Sequence, residues 1–178
     1  MKFSLAIPAY NEGESIGFVV RGVAEAVRKV EPDFEIVVVD NGSTDNTADT
    51  LESVRKEVPE VRILKIAENK GYGGGILAGL SGCSGEVLGF MHADSQVAPE
   101  KIPEIYKKIL SENLDFCKSV REERKESLFR IVQSVFYNSL FRLLFGGSYR
   151  DINGTPKLFR RNFYERLNLT SRDWFLDP

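Results

Sequence analysis

Cysteine is scarce, with only Cys83 and Cys117 in 178 residues. Two thiols so far apart form no disulfide framework and lack the spacing of a metal site. They suit a reducing compartment and read as small packing residues. Long hydrophobic runs are missing too: no window approaches the roughly 18 apolar residues of a membrane span. Lys2-Phe3-Ser4 leads straight into a strand-like run that Pro8 and Asn11 interrupt, so no signal peptide is expected at the start. Internal repeats and low-complexity linkers are absent, which leaves solenoids and flexible arrays out. Strong net charge is also lacking, since 24 basic and 26 acidic residues leave −2. With 42% hydrophobic and 28% charged residues, disordered and fibrous classes are excluded. One soluble domain with a sizeable core is expected.

The near-neutral total hides an asymmetry. Residues 1–116 hold 12 basic and 19 acidic side chains, whereas residues 117–178 hold 12 basic and 7 acidic. The balance swings from −7 to +5, which points to an anionic partner near the C-terminal third, or to a solvated face with clustered charge.

The apolar pattern predicts a βαβ succession. A strand over 3–7 is stopped by Pro8, and a helix over 16–30 turns Val19, Val20, Val23 and Val27 inward. A β-branched run over 35–39 reads as a strand buried on both faces, followed by the polar turn Asp40-Asn41-Gly42-Ser43-Thr44-Asp45 and a helix over 46–57. A third strand covers 61–66. Asn69-Lys70-Gly71-Tyr72-Gly73-Gly74-Gly75 is expected as a glycine loop leading to a short helix that ends near Leu80. A fourth strand covers 86–96, and a helix spans 99–110 with Pro99 in its first turn. Right-handed crossovers then give a parallel sheet covered on both sides. Beyond Asp115 the pattern changes to a basic segment with Lys118, Arg121, Arg124 and Lys125. A long apolar helix over 127–145 comes next, either sandwiched in protein or lying in a membrane interface with Arg130 and Arg142 toward headgroups.

Polar chemistry gathers at three strand ends: Tyr10 with Glu12, Asp40 with Asp45, and His92, Asp94 and Gln96. In an extended backbone alternate residues share a face, so the last three are expected to converge on one point past the strand. Open α/β sheets bind ligands at that edge. Any one of these acids is explained by capping; the set marks a ligand cleft.

Taken in order, Ile-Pro-Ala-Tyr-Asn-Glu, Val-Val-Asp-Asn-Gly-Ser-Thr-Asp, Asn-Lys-Gly-Tyr-Gly-Gly, the polar strand end His-Ala-Asp and Asp-Ile-Asn-Gly-Thr-Pro-Lys resemble the inverting family 2 glycosyltransferases. Within them the chain looks most like the dolichol-phosphate mannose synthase group, which moves a sugar from a nucleotide donor to a polyprenyl phosphate. The resemblance covers nearly the whole chain. It implies an α/β GT-A (nucleotide-diphospho-sugar transferase) fold, with a mostly parallel Rossmann-like sheet and helices on both faces. It also implies a single catalytic domain over 1–178, in which 1–116 binds the nucleotide sugar and 117–178 binds the acceptor. Relatives usually continue past residue 178, so the acceptor half is expected to be C-terminally incomplete.

Carried over by residue, the resemblance implies that Pro8, Tyr10, Glu12, Asp40 and Gly71 hold the nucleotide sugar, and that His92, Asp94 and Gln96 stand at the metal and diphosphate positions. Arg121, Arg130 and Ser134 fall where acceptor-phosphate contacts lie, and Asp151 falls at the acidic position beside the acceptor; Asp94, Asp151 and Arg121 form the expected catalytic set. The implied cofactor is a divalent metal, Mn2+ or Mg2+. The implied partners are a GDP- or UDP-sugar, a dolichyl or undecaprenyl phosphate and the cytoplasmic face of a membrane, with no nucleic acid. His92 replaces the family's first metal-site aspartate, and its borderline nitrogen donor suits manganese better than magnesium.

Such chemistry is physically coherent. A phosphate acceptor is already an anion at neutral pH, its second pKa being about 6, so arginines that position it suffice. A sugar hydroxyl would instead require a carboxylate base, for which Asp151 or Asp177 are candidates. Two other classes compete: a non-catalytic module for a sugar nucleotide or lipid phosphate, and a dinucleotide-binding oxidoreductase. The latter draws on Gly73-Gly74-Gly75-Ile76-Leu77-Ala78, with Asp94 about 20 residues beyond.

Overall fold

The computed structural model describes residues 1–95, 97–120, 154–172 and 176. The first four strands form because β-branched and apolar residues run without interruption. They are β1 (Phe3–Ala9), β2 (Phe34–Asn41), β3 (Val61–Ile66) and β4 (Val87–Phe90). Between and after them lie α1 (Ile16–Arg28), α2 (Thr47–Glu57), α3 (Gly71–Gly82) and α4 (Lys101–Ser111). Two short strands, β5 (Phe116–Lys118) and β6 (Lys157–Arg160), and α5 (Arg161–Leu167) complete the described elements. The strand order is β3-β2-β1-β4-β6-β5. The first four strands are mutually parallel, whereas β6 runs antiparallel to both β4 and β5.

Strand alternation divides the core into two layers. Phe3, Leu5 and Ile7 of β1 and Phe34, Ile36 and Val38 of β2 pack with Val19, Val20 and Val23 of α1, Leu51 and Val54 of α2, and Ile102 and Ile109 of α4. Ala6, Val37, Leu88 and Phe90 point the other way, toward Ile76 and Leu80 of α3 and Phe163 and Tyr164 of α5. Helices therefore cover both faces, as the continuous apolar strands require.

Three expectations are corrected. The glycine run after Asn69 is helical from Gly71, not a loop. A methyl group on Gly79 would lie 2.8 Å from the Ala6 Cβ, and one on Gly75 would lie 3.1 Å from the Pro8 Cβ. Glycine here lets α3 lie against β1, and that contact outweighs the roughly 0.5–1 kcal/mol each glycine costs a helix. Secondly, β4 stops at Phe90, and the chain turns at Ser95 with φ +59°, so residues 91–95 do not continue the strand. Thirdly, Pro99 precedes α4 instead of opening it; its carbonyl accepts from the Ile102 amide. The helix expected over 127–145 lies outside the described residues.

The amino-terminal edge of the sheet is locked by a buried carboxylate. Glu35, 3% exposed, accepts hydrogen bonds from the Ser4 hydroxyl at 2.8 Å and the Ser84 amide at 2.7 Å. It also accepts from the Ser84 hydroxyl and from Arg62, both at 2.6 Å. Burial alone would raise this carboxyl, but hydrogen bonds from Ser84, Arg62 and Ser4 hold it down at about 2. Cys83 beside it is buried, and burial together with the Glu35 charge pushes its thiol up to about 12. That is an inert packing thiol, as its sequence context suggested. Arg161, counted above among the C-terminal basic residues, is spent on the carbonyls of Gly85 and Cys83.

Candidate functional site

The functional cleft opens at the carboxyl edge of the sheet, at the opposite end from Glu35. Connections from β1 and β2 run through α1 and α2 on one face, while α3 returns to β4 on the other, so strand order reverses between β1 and β4. A crevice at such a switch point is the expected ligand site of an open α/β sheet. A cleft of about 460 Å³ lies there, lined by Pro8, Ala9, Tyr10 and Glu12 after β1, and by Asn41 at the end of β2. Asn69, Gly71 and Tyr72 at the start of α3, with His92 and Asp94 after β4, complete it.

The turn carrying Tyr10 and Glu12 is held by the turn that follows β2. Asn11 adopts a left-handed φ of +56°, which an asparagine tolerates. Its side-chain oxygen accepts from the Thr44 amide at 2.8 Å, and its amide donates to the Ser43 hydroxyl at 3.1 Å. The Glu12 amide donates to Thr47 Oγ1 at 2.9 Å, and the Gly13 amide donates to Asp45 at 3.1 Å. Hydrogen bonds from Thr47, the side chain first, hold the Asp45 carboxyl below its usual range. Tyr10 is thereby left 47% exposed at the cleft rim, and Glu12 is half-buried with its carboxylate accepting from Ser15 Oγ at 2.6 Å.

Alternation along β2 separates Asp40 from Asn41. Asp40 is buried and accepts from the Ser43 amide at 3.0 Å; it caps its own turn and is not among the cleft-lining residues. Asn41, on the α3 side, has its amide nitrogen donating to Asn69 Oδ1 and to the Gly71 carbonyl, while its oxygen accepts from the Lys70 amide. One buried side chain therefore shapes the whole approach to α3.

Beyond β4 the alternation of burial persists for four residues even though the strand has ended. Met91 and Ala93 are buried, and His92 and Asp94 are half-buried and face the cleft. His92 Nε2 and the Tyr72 hydroxyl share a hydrogen bond of 3.1 Å, with ring centroids 5.4 Å apart. Pro8, Tyr10, Glu12, Gly71, His92 and Asp94 are thus brought together as expected from sequence. Gln96, Arg121, Arg130, Ser134 and Asp151 lie outside the described residues. Asn41, Asn69 and Tyr72 are the cleft residues that sequence reasoning missed. Their signal was present: Asn41 follows Asp40 in a strand, so one of the two must face the α3 side, and Asn69 and Tyr72 flank Gly71 in the same glycine-rich stretch.

The donor set can be tested against a divalent cation. Among the described residues no three His, Cys, Asp or Glu side chains cluster as a complete cage. One carboxylate in a cleft of this volume still fits a hard cation, which would take its other ligands from substrate phosphates and water. Asp94 meets that requirement, and His92 stands beside it with Nε2 engaged by Tyr72.

Residues 4–167 match the family model described as glycosyl transferase family 2. The chain belongs to that family. Among its curated family relatives are undecaprenyl-phosphate 4-deoxy-4-formamido-L-arabinose transferases. The one from Yersinia enterocolitica serotype O:8 is 33% identical over 168 residues, which cover 93% of this chain and 51% of the relative. The one from Pectobacterium atrosepticum is 34% identical over 166 residues, covering 92% and 50%. The chain spans about half the length of these relatives. Among solved structures, mannosyltransferase PcManGT from Pyrobaculum calidifontis, in complex with GDP-Man and Mn2+, superposes with a TM-score of 0.73 at 21% identity, covering 99% of this chain and 49% of that one. S. aureus TarS 1-349 in complex with UDP-GlcNAc gives 0.68 at 23% identity, covering 95% and 48%. These neighbours establish the fold of this family 2 chain as GT-A, with its mixed six-stranded sheet.

Proposed function

We propose that this family 2 chain binds a nucleoside-diphosphate sugar in the cleft between β1, β2 and β4, and transfers the sugar to a polyprenyl phosphate with inversion. The observation that carries this reading is the convergence of Tyr10, Glu12, Gly71, His92 and Asp94 on one cleft at the strand-order switch point. The names of the two relatives described above, both undecaprenyl-phosphate 4-deoxy-4-formamido-L-arabinose transferases, support the acceptor class. In this reading residues 1–116 form the donor half and 117–178 the acceptor half of one catalytic domain. The chain works at the cytoplasmic surface of a membrane; among the described residues no helix is long and apolar enough to cross one.

Asp94, together with His92 and Gln96, would hold a divalent cation, Mn2+ or Mg2+. When bound, that ion supplies neutralisation of the charge developing on the departing diphosphate. Tyr10 at the rim and Glu12 and Gly71 on the walls position the donor, with Pro8 shaping the floor and Asp40 fixing the turn above the cleft. Arg121, Arg130 and Ser134 orient the acceptor phosphate for a single in-line attack, and Asp151 stands beside it. No strong base is needed, because the attacking oxygen is ionised before it arrives. The oxidoreductase reading loses its ground: Gly73, Gly74 and Gly75 lie inside α3, well after β3, and not in a tight turn after the first strand.

The deciding experiment is a screen of GDP- and UDP-sugars with a short polyprenyl phosphate and manganese, followed by mass spectrometry of the lipid. A glycosylated lipid phosphate is the expected product. Nucleotide binding without turnover on any donor would instead favour a binding module. Charge reversal at Arg121 or Arg130 is expected to raise KM for the lipid roughly 10-fold or more while sparing nucleotide affinity.

A further inference from the structure

Two basic residues meet at the first turn of α3, which borders the cleft, and among the described residues no acidic side chain pairs with either. Lys70 immediately precedes α3, between the cleft-lining Asn69 and Gly71. Arg172 arrives from the far end of the chain. After α5 the backbone reverses at Asn168, with φ +47°, and crosses the first turn of α3, where the Gly74 amide donates to the Arg172 carbonyl at 3.1 Å. The crossing is close: a Cβ on Gly71 would lie 3.0 Å from that carbonyl oxygen. A Cβ on Gly74 would lie 2.7 Å from the Lys70 Cβ and 3.9 Å from the Arg172 Cβ, so the two side chains start close to one spot. Leu176, four residues on, is 7% exposed in the α3-side core, which anchors the crossing segment a second time.

Both side chains are exposed, and neither has an ion pair or side-chain hydrogen bond among the described residues. Their fixed contacts are made by main chain alone: the Lys70 amide donates to Asn41 Oδ1, and the Arg172 carbonyl accepts from Gly74. Within the fold the arrangement is unfavourable. Two cations repel each other, and the amino-terminal end of a helix is the wrong end for positive charge. An anion in the adjoining cleft reverses the sign of both effects, and a guanidinium fork with an ammonium suits the two phosphates of one diphosphate.

We propose that Lys70 and Arg172 are further donor-binding residues, which clasp the diphosphate of the nucleotide sugar at the cleft rim beside Gly71. The proposal rests on the donor reading above and adds to it a contact from the C-terminal segment, which crosses the first turn of α3 beside the cleft-lining Gly71. The shared chemistry is a phosphate oxyanion, and the donor is favoured over the lipid phosphate because the Lys70 amide bonds Asn41 and the Arg172 carbonyl lies against Gly71, both of which line the donor cleft.

The test is calorimetric titration of the whole chain with UDP, GDP, uridine and guanosine in the presence of manganese. Arg172→Gln and Lys70→Gln are each expected to weaken binding of the preferred nucleoside diphosphate about 10-fold or more, and to leave the parent nucleoside unchanged. Both are expected to melt within a degree or so of the parent, because the main-chain bonds remain, and Arg172→Lys is expected to recover part of the affinity. If the parent binds a nucleoside diphosphate and both variants bind it within twofold, this proposal falls and the donor reading stands. A loss seen only as a raised KM for polyprenyl phosphate assigns the pair to the acceptor and overturns it as well. If the parent binds no nucleoside diphosphate, the donor reading falls and takes this proposal with it.

Discussion

Asp94 reaches the cleft because Met91 and Ala93 are buried beneath it, which turns every second side chain after β4 outward. A carboxylate so placed would hold a divalent cation that neutralises charge on the donor diphosphate. Asp94→Asn is expected to lower sugar transfer roughly 100-fold or more, measured as nucleotide released with manganese present. Retained turnover would remove Asp94 from the chemistry. His92 poses a different question, since one ring nitrogen is already engaged by Tyr72. Replacing nitrogen by oxygen favours harder cations, so His92→Asp is expected to raise the ratio of magnesium-supported to manganese-supported rate. An unchanged ratio would deny His92 any part in choosing the metal. Asp40 shows the limit of reading single residues. The family resemblance implies a donor contact for it, and in the structure its Oδ1 accepts from the Ser43 amide, outside the cleft lining.

At the level of elements, α3 is the informative case. Its glycines carry a local penalty that argues for a loop, yet the helix forms because those positions face β1 and β2 at close range. Gly79→Ala is therefore expected to destabilise the protein by about 1–3 kcal/mol in a urea titration. At an exposed helical position the same change would stabilise. The new methyl group would lie 3.1 Å from Val39 Cγ2 and would meet the Ala6 Cβ, which cannot move without shifting β1. An unchanged or raised midpoint would mean that α3 can slide away from β1. The interlocked turns after β1 and β2 make the complementary point. Asn11, Asp45 and Thr47 contribute little apolar burial, but their mutual hydrogen bonds set the position of Tyr10 and Glu12.

Over the whole molecule, the sheet is fastened at one edge and open for chemistry at the other. Glu35 fastens it, and its folded pKa of about 2 lies below the unfolded carboxylate value, so its contribution is present above about pH 5. As pH falls from there toward 2 that contribution is lost, and it amounts to about 3 kcal/mol. Glu35→Gln is expected to flatten the acid limb of a stability-against-pH curve, and an unaltered limb would mean that other carboxylates govern acid unfolding. Strands β1 to β4, helices α1 and α2 and the cluster of polar strand ends were all legible in the sequence, because apolar periodicity and turn chemistry act over a few neighbouring residues. The pairing of β6 with β4 was not, since a four-residue strand takes its partner and direction from whatever edge the rest of the fold presents. Local pattern was enough to mark the residues able to do chemistry and to put them at the ends of strands. Long-range packing was needed to turn Asn41 instead of Asp40 to the cleft, to bring Tyr72 to His92, and to set Lys70 and Arg172, 102 positions apart, at one turn of one helix. Those contacts are made across the sheet and between distant segments, where local pattern carries no information.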